Sequence, residues 1–213
     1  MDVVAVDGPG GVGKTTISGA LAAATGRAHL DTGAMYRAAT LAVLEAGIDP
    51  ADDVGVISVV TAADIGYEDG RTFLDGRDVT APIRSREVDA AVSAVSAMPQ
   101  VRSRLVELQR SWVERHGPSV AEGRDMGTVV FAKSKRKVFL TADPSVRAAR
   151  RSGDAPDRPV DDIAGDLKRR DKFDSSRAIS PLRPAQDAAV IDTTDLSEDE
   201  VLAAVLQAVG LES

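Results

Sequence analysis

The chain has 213 residues, 43% hydrophobic and 28% charged, a length that suits one domain with room for an insertion and a composition in the globular range. No apolar run approaches the roughly 20 residues of a membrane span, and 26 basic against 33 acidic residues, a formal net charge of −7, argue against nucleic-acid binding through bulk positive charge. There are no cysteines, which excludes disulfides, thiolate metal sites and cysteine nucleophiles. The first residues, Met1-Asp2-Val3-Val4, have no basic region leading into a long apolar stretch, so the expected compartment is the cytoplasm.

Val3 to Val6 is a short apolar run ending at Asp7-Gly8-Pro9-Gly10-Gly11, which predicts a buried strand entering a glycine-rich turn. Ile17, Ala20, Leu21 and Ala24 recur at i, i+3, i+4 and i+7, predicting a helix from Lys14 that Gly26 ends. A second helix is expected over Ala34 to Ala46, with Met35, Ala38, Ala39, Ala42 and Val43 on one side and Gly47 as its stop. From about Asp64 the period changes to alternation around Ile65 and Tyr67, and Asp69-Gly70 and Asp75-Gly76 are hairpin turn pairs, so an inserted antiparallel meander is expected. Val88, Val92 and Val95, then Val101, Leu105, Leu108 and Trp112, mark two helices meeting at Pro99, with Trp112 a core residue. Ser119-Val120-Ala121, Val138-Phe139-Leu140 and Ala188 to Ile191 are further short strands, and Ser197-Glu198-Asp199-Glu200 is a capping box opening a last helix before Gly210. Strands alternating with helices imply an α/β fold, a mainly parallel sheet covered on both faces.

Gly8-Pro9-Gly10-Gly11-Val12-Gly13-Lys14-Thr15 satisfies G-x-x-x-x-G-K-[ST] between a predicted strand and a predicted helix, the context the motif requires. Glycines let successive backbone N–H groups turn inward around phosphate oxygens, and the helix N-terminus, which Thr16 continues, adds a positive field. Lys14 would reach the β and γ phosphates and the Thr15 hydroxyl would coordinate Mg²⁺. Nucleoside triphosphate binding follows. A switch GTPase would read guanine with Asn-Lys-x-Asp, which a chain without asparagine cannot contain, and a motor ATPase would be longer. Small size with many arginines favours a kinase acting on a phosphorylated acceptor.

Arg37, Arg102, Arg124, Arg147, Arg150, Arg151, Arg169, Arg170 and Arg177 are expected in or beside loops and helix ends. Ten basic and seven acidic residues fall between 147 and 183, a positive segment in an acidic chain that suits a phosphate pocket.

Five blocks in one order resemble bacterial cytidylate kinases: the loop Gly8 to Thr15, Leu30-Asp31-Thr32-Gly33-Ala34-Met35-Tyr36-Arg37, Asp78-Val79-Thr80 with Ile83-Arg84, Glu122-Gly123-Arg124-Asp125-Met126-Gly127-Thr128-Val129-Val130-Phe131, and Arg170-Asp171 through Asp174, Arg177 and Ser180-Pro181-Leu182. The resemblance implies a three-layer P-loop kinase, residues 1–213, with a mainly parallel sheet core, a monophosphate-binding insertion over 64–100 and a short lid over 152–162. It implies transfer of the γ phosphate of ATP to CMP or dCMP, with Mg²⁺, in a cytoplasmic monomer that binds neither nucleic acid nor membrane. By the same resemblance Arg37, Arg124 and Arg177 hold the acceptor phosphate, Arg170 and Asp174 contact the sugar, and Ser93, Arg102 and Asp125 read the base. Thr32 and Tyr36 join that substrate set, Arg147 and Arg151 join the phosphate loop on ATP, and Lys14, Arg124 and Arg177 act on the transferred phosphoryl group. Tyr36 equally fits a packing role, Asp125 equally fits an orienting partner for Arg124, and His29 and His116 show no partner pattern for catalysis. Another small P-loop kinase, with a UMP, AMP or shikimate acceptor, or a non-catalytic nucleotide sensor, is the alternative.

Overall fold

The computed structural model describes residues 1–153, 159–177 and 179–211, and the chain forms two compact units, Met1–His29 with the described part of His116–Ser213, and Leu30–Arg115.

In the first unit, strand β1 (Val3–Asp7) is buried along its whole length and leads through the glycine-rich turn into helix α1 (Lys14–Thr25), which Gly26 closes in a left-handed conformation. Strand β2 (Ala28–Asp31) joins the sheet through the Ala28 N–H, which donates to the Pro118 carbonyl at 3.0 Å. Strand β6 (Ser119–Gly123) runs parallel to β1, with Val6 opposite Glu122 and Asp7 opposite Gly123. A π-helical turn at Met126–Val130 precedes β7 (Arg136–Thr141), and helices α6 (Pro144–Gly153) and α7 (Val160–Ser176) precede β8 (Ala189–Asp192). The sheet order is β2-β6-β1-β7-β8, with β1 parallel to β7 and β7 parallel to β8. A central, mainly parallel sheet flanked by helices is the arrangement that alternating strands and helices require. Helix α8 (Glu198–Val209) opens with the expected capping box, Ser197 and Glu200 bonding each other's backbone N–H groups. Its Val201, Val205 and Val209 pack with Ile17 and Leu21 of α1 over Val4, Val6, Val120, Val138 and Leu140 of the strands.

The second unit is built on α2 (Thr32–Glu45), which Asp31 caps by accepting from the Ala34 N–H at 3.0 Å. It continues through α3 (Asp53–Ala62), the antiparallel strands β3 (Ile65–Glu68), β4 (Arg71–Leu74) and β5 (Arg77–Asp78), a 3₁₀ turn at Pro82–Arg84, α4 (Arg86–Val95) and α5 (Pro99–His116). Both hairpin turns have positive φ at both central residues, Asp69 at 49° with Gly70 at 76°, and Asp75 at 50° with Gly76 at 77°. Trp112 is core, as its spacing predicts: its indole N–H donates to the Tyr67 carbonyl at 2.5 Å and its ring meets the Tyr67 ring edge-on.

The structure adds β2, α3, α6, α7 and the π-helical turn to the predicted elements. Helix α3 is rich in Val and Ile and reads as a strand by residue type, yet only Val56 and Val60 are buried, four apart and against α2; Asp52 caps its start through the Gly55 N–H. Of the arginines expected in or beside loops and helix ends, Arg102 and Arg147 are the fourth residues of α5 and α6, Arg150 and Arg151 lie in the last turn of α6 and Arg177 follows α7, whereas Arg37, Arg169 and Arg170 lie further inside their helices. Arg37, Arg102 and Arg147 are buried, because each finds acceptors within its own unit. Of the segment 152–162, Ser152 and Gly153 end α6 and residues 160–162 begin α7; residues 154–158 lie outside the described residues.

Candidate active site

In the first unit the phosphate loop is shaped by two close approaches. A Cβ on Gly8 would lie 2.4 Å from the Leu140 carbonyl oxygen, and one on Gly11 would lie 2.8 Å from the Arg147 carbonyl oxygen, so only glycine lets the turn pass between β7 and α6. Lys14 is buried and its ammonium donates to the Pro9 carbonyl at 2.7 Å, folded over the loop it follows. Thr15 and Thr16 are exposed at the start of α1. The Thr15 hydroxyl donates to Glu122 Oε2 at 3.1 Å, and His29 Nε2 lies 3.2 Å from Glu122 Oε1. Glu122 and the pairing of His29 are what the sequence reading missed; an acid ending a buried strand next to the P-loop strand was the available signal.

Asp7 is the second carboxylate of this region. Its two oxygens accept the Met126 and Gly127 N–H groups, both at 2.8 Å, which ties the end of β1 to the residues directly after Arg124 and Asp125. Burial pushes its carboxyl up to about 6, only partly offset by the two N–H groups and by Lys14.

Arg124 and Arg177 come together on one buried carboxylate. Arg124 Nε meets Asp174 Oδ2 at 3.1 Å, and Arg177 Nη2 meets Asp174 Oδ1 at 2.5 Å, with the Arg177 guanidinium over the Phe173 ring. A Cβ on Gly10 would come 3.7 Å from Arg124 Nη2, so this cluster borders the phosphate loop. Asp174 is thus one carboxylate that orients Arg124; the adjacent Asp125 is buried, with its carbonyl accepting from Val129 and Val130. Arg147 donates through Nη1 to the Gly10 carbonyl at 3.1 Å and to Asp171 Oδ2 at 2.6 Å, which places it against the loop as well. Arg151 is half-buried near the end of α6, and Arg170 is half-buried on α7, one residue before the Asp171 that holds Arg147.

In the second unit, Thr32 is buried at the start of α2 and Tyr36 and Arg37 follow on it, also buried. Arg102 donates to the Ser96 carbonyl at 3.2 Å and its guanidinium lies 5.3 Å from the centre of the Tyr36 ring. The Ser96 hydroxyl donates to the Ser93 carbonyl at 3.2 Å, so Tyr36, Ser93 and Arg102 form one cluster. Tyr36 is packed, buried against the Arg102 guanidinium.

Among the described residues no helix is long and apolar enough to cross a membrane, and no group of three or more His, Asp or Glu side chains forms a metal cage. A Mg²⁺ ion that arrives on nucleotide phosphates needs no such cage, and a loop hydroxyl whose proton is committed to Glu122 fits it.

Residues 4–210 match the family model described as cytidylate kinase. The cytidylate kinase of Mycobacterium leprae is 50% identical over 213 residues, covering 97% of this chain and 95% of the relative. The cytidylate kinase of Corynebacterium efficiens is 47% identical over 215 residues, with 96% and 93% covered. That of Streptomyces avermitilis is 46% identical over 209 residues, with 96% and 90% covered. Two crystal structures share the fold over 99% of this chain and 98% of theirs: an uncharacterized protein from Eubacterium ventriosum, TM-score 0.54 at 10% identity, and TT1252 from Thermus thermophilus, TM-score 0.51 at 18% identity. With the family model and these relatives spanning nearly its whole length, the chain belongs to the cytidylate kinase family.

Proposed function

We infer that the protein transfers the γ phosphate of ATP to CMP or dCMP, giving ADP and CDP or dCDP. The observation that carries this reading is a phosphate loop bordered, in the same unit, by two arginines on one carboxylate. A loop alone serves any nucleoside triphosphatase, whereas fixed guanidinium groups beside it supply a place for a second phosphate.

Phosphoryl transfer to a monophosphate needs positioning and charge neutralisation more than proton abstraction, because the acceptor oxygen is already ionised near neutral pH. The bond from the γ phosphorus to the ADP oxygen breaks as the bond to a CMP phosphate oxygen forms. Lys14 leaves its resting contact with the Pro9 carbonyl for the transferred group, and the loop N–H groups and the α1 N-terminus hold the donor phosphates. Thr15, with Glu122 behind it, would hold Mg²⁺, which when bound neutralises charge on the donor phosphates. Arg37, Arg124 and Arg177 hold the acceptor phosphate, Arg147 and Arg151 steady the donor, and Ser93, Arg102 and Asp125 read cytosine, with Arg170 and Asp174 at the sugar. The same reading makes the protein a cytoplasmic monomer without nucleic-acid or membrane partners.

ADP formation with ATP and Mg²⁺ should be fastest with CMP and dCMP in a panel that includes UMP, AMP and shikimate. Faster turnover of another acceptor, or CMP binding with no ADP formed, would overturn the assignment. Lys14→Met should lower kcat on the order of 10³-fold while leaving the melting temperature close to that of the parent chain.

A further inference from the structure

Arg37 sits inside α2 with only 7% of its surface exposed, between the buried Tyr36 and Ala38. A guanidinium cannot shed its charge at such a place, so its burial has to be met by acceptors. Two come from the segment that follows β5. Nη1 donates to the Ile83 carbonyl at 3.0 Å, and Nη2 donates to Asp89 Oδ1 at 2.6 Å, the short distance of a charge-assisted bond. A carbonyl on one terminal nitrogen and a carboxylate on the other fix the rotation of the guanidinium plane as well as its position.

The site of Asp89 is set by packing that does not involve its charge. Ser85 caps α4 through the Val88 N–H, and Val88, Val92 and Val95 are buried on the face that meets α2. Asp89 is next to that face, in the first turn, where a negative charge also suits the helix N-terminus. Its side chain is 27% exposed, so a neutral residue would complete the helix equally well. The nearby pair of Arg84 with the buried Asp31 is looser, 3.3 Å with the arginine half-exposed.

We propose that Asp89 is a positioning residue for the acceptor phosphate. It holds the Arg37 guanidinium in the orientation in which that group meets the monophosphate, without itself touching substrate. The proposal rests on the reading of Arg37 as an acceptor-phosphate group.

The test is steady-state kinetics of the full chain, with CMP varied at saturating MgATP and ATP varied at saturating CMP, for Asp89→Ala, Asp89→Asn, Arg37→Ala and the Arg37→Ala/Asp89→Ala double variant. Asp89→Ala should raise KM for CMP on the order of tenfold, the size of coupling found within one hydrogen-bond network, with KM for ATP unchanged. Asp89→Asn, which keeps an acceptor oxygen, should recover most of the loss, and the double variant should be no worse than Arg37→Ala alone. Should Asp89→Ala fold poorly, the Asn variant and Asp89→Ser carry the same comparison, with melting temperature as the control. An unchanged KM for CMP in Asp89→Ala while Arg37→Ala raises it, additive losses in the double variant, or parallel rises in both KM values would overturn the proposal. An unchanged KM for CMP in Arg37→Ala would instead remove the acceptor reading of Arg37, and the role of Asp89 with it.

Discussion

The Thr15 hydroxyl gives its proton to Glu122, 3.1 Å away at the end of β6, so the phosphate loop is tied to the neighbouring strand by the very group that would meet a metal. A hydroxyl that donates to a carboxylate turns its lone pairs toward a cation, and His29 on the other Glu122 oxygen restrains the carboxylate. Glu122→Gln should therefore weaken ATP binding in the presence of Mg²⁺ on the order of tenfold while leaving metal-free ATP binding little changed. Calorimetric titration with and without Mg²⁺ measures both, and equal losses in the two conditions would remove the metal-side role.

Asp7 makes stability depend on pH in a direction opposite to most acidic residues. Its folded carboxyl is pushed up to about 6 from an ordinary value of 3.8, so between those values the folded chain holds a proton that the unfolded chain has lost. Stability contributed by this group is present below about pH 4 and is lost as pH rises through 6, by about 3 kcal/mol in all. Asp7→Asn should flatten that part of the pH profile. It should also cost about 1 to 3 kcal/mol near neutrality, because an amide NH₂ faces the Met126 or Gly127 N–H. Urea unfolding of both chains between pH 4 and 7 gives the difference, and parallel profiles would refute the assignment.

The phosphate loop and the strands beside it were legible because each residue type there answers to local backbone demands: a β-branched strand, glycines at close approaches, a lysine and a threonine at fixed offsets. The hairpins declared themselves through Asp-Gly pairs, and Ser197 with Glu200 declared α8. Helix α3 was hidden because its valines favour a strand until an Asp52 cap and packing against α2 decide otherwise. The pairings of Arg124 with Asp174, Arg147 with Asp171 and Arg37 with Asp89 had no such signal, because pairing across 24 to 52 residues is fixed by tertiary packing; only Asp174 with Arg177, three apart at the end of α7, leaves a spacing to read.

Asp174 gives both oxygens to arginines, Oδ2 to Arg124 and Oδ1 to Arg177. If those pairs set the two guanidinium orientations, the role of Asp174 differs from the sugar contact proposed for it, and the two roles predict different kinetics. Asp174→Asn should raise KM for CMP and for dCMP together, on the order of tenfold, since an amide can accept from only one of them. A direct contact to the sugar 2′-hydroxyl predicts a loss for CMP that dCMP, lacking that hydroxyl, escapes, and the ratio of the two KM values separates the outcomes.

Base choice turns on polarity. Cytosine offers an N4 amino donor and an N3 acceptor, and uracil reverses both. In the base reading, the buried Asp125 carboxylate accepts from the N4 amino group and Arg102 donates to N3 and O2. Uracil would then set a carbonyl against a carboxylate and an N–H against a guanidinium. Each buried polar group left unpaired costs about 1 to 3 kcal/mol, so CMP should exceed UMP in kcat/KM by a factor on the order of 10³. Asp125→Ala should collapse that ratio, chiefly by lowering kcat/KM for CMP, because only cytosine loses a partner. If the variant instead lost activity on CMP and UMP by the same factor, Asp125 would be holding the segment between Arg124 and Met126 in place, and discrimination would have to come from Ser93 and Arg102.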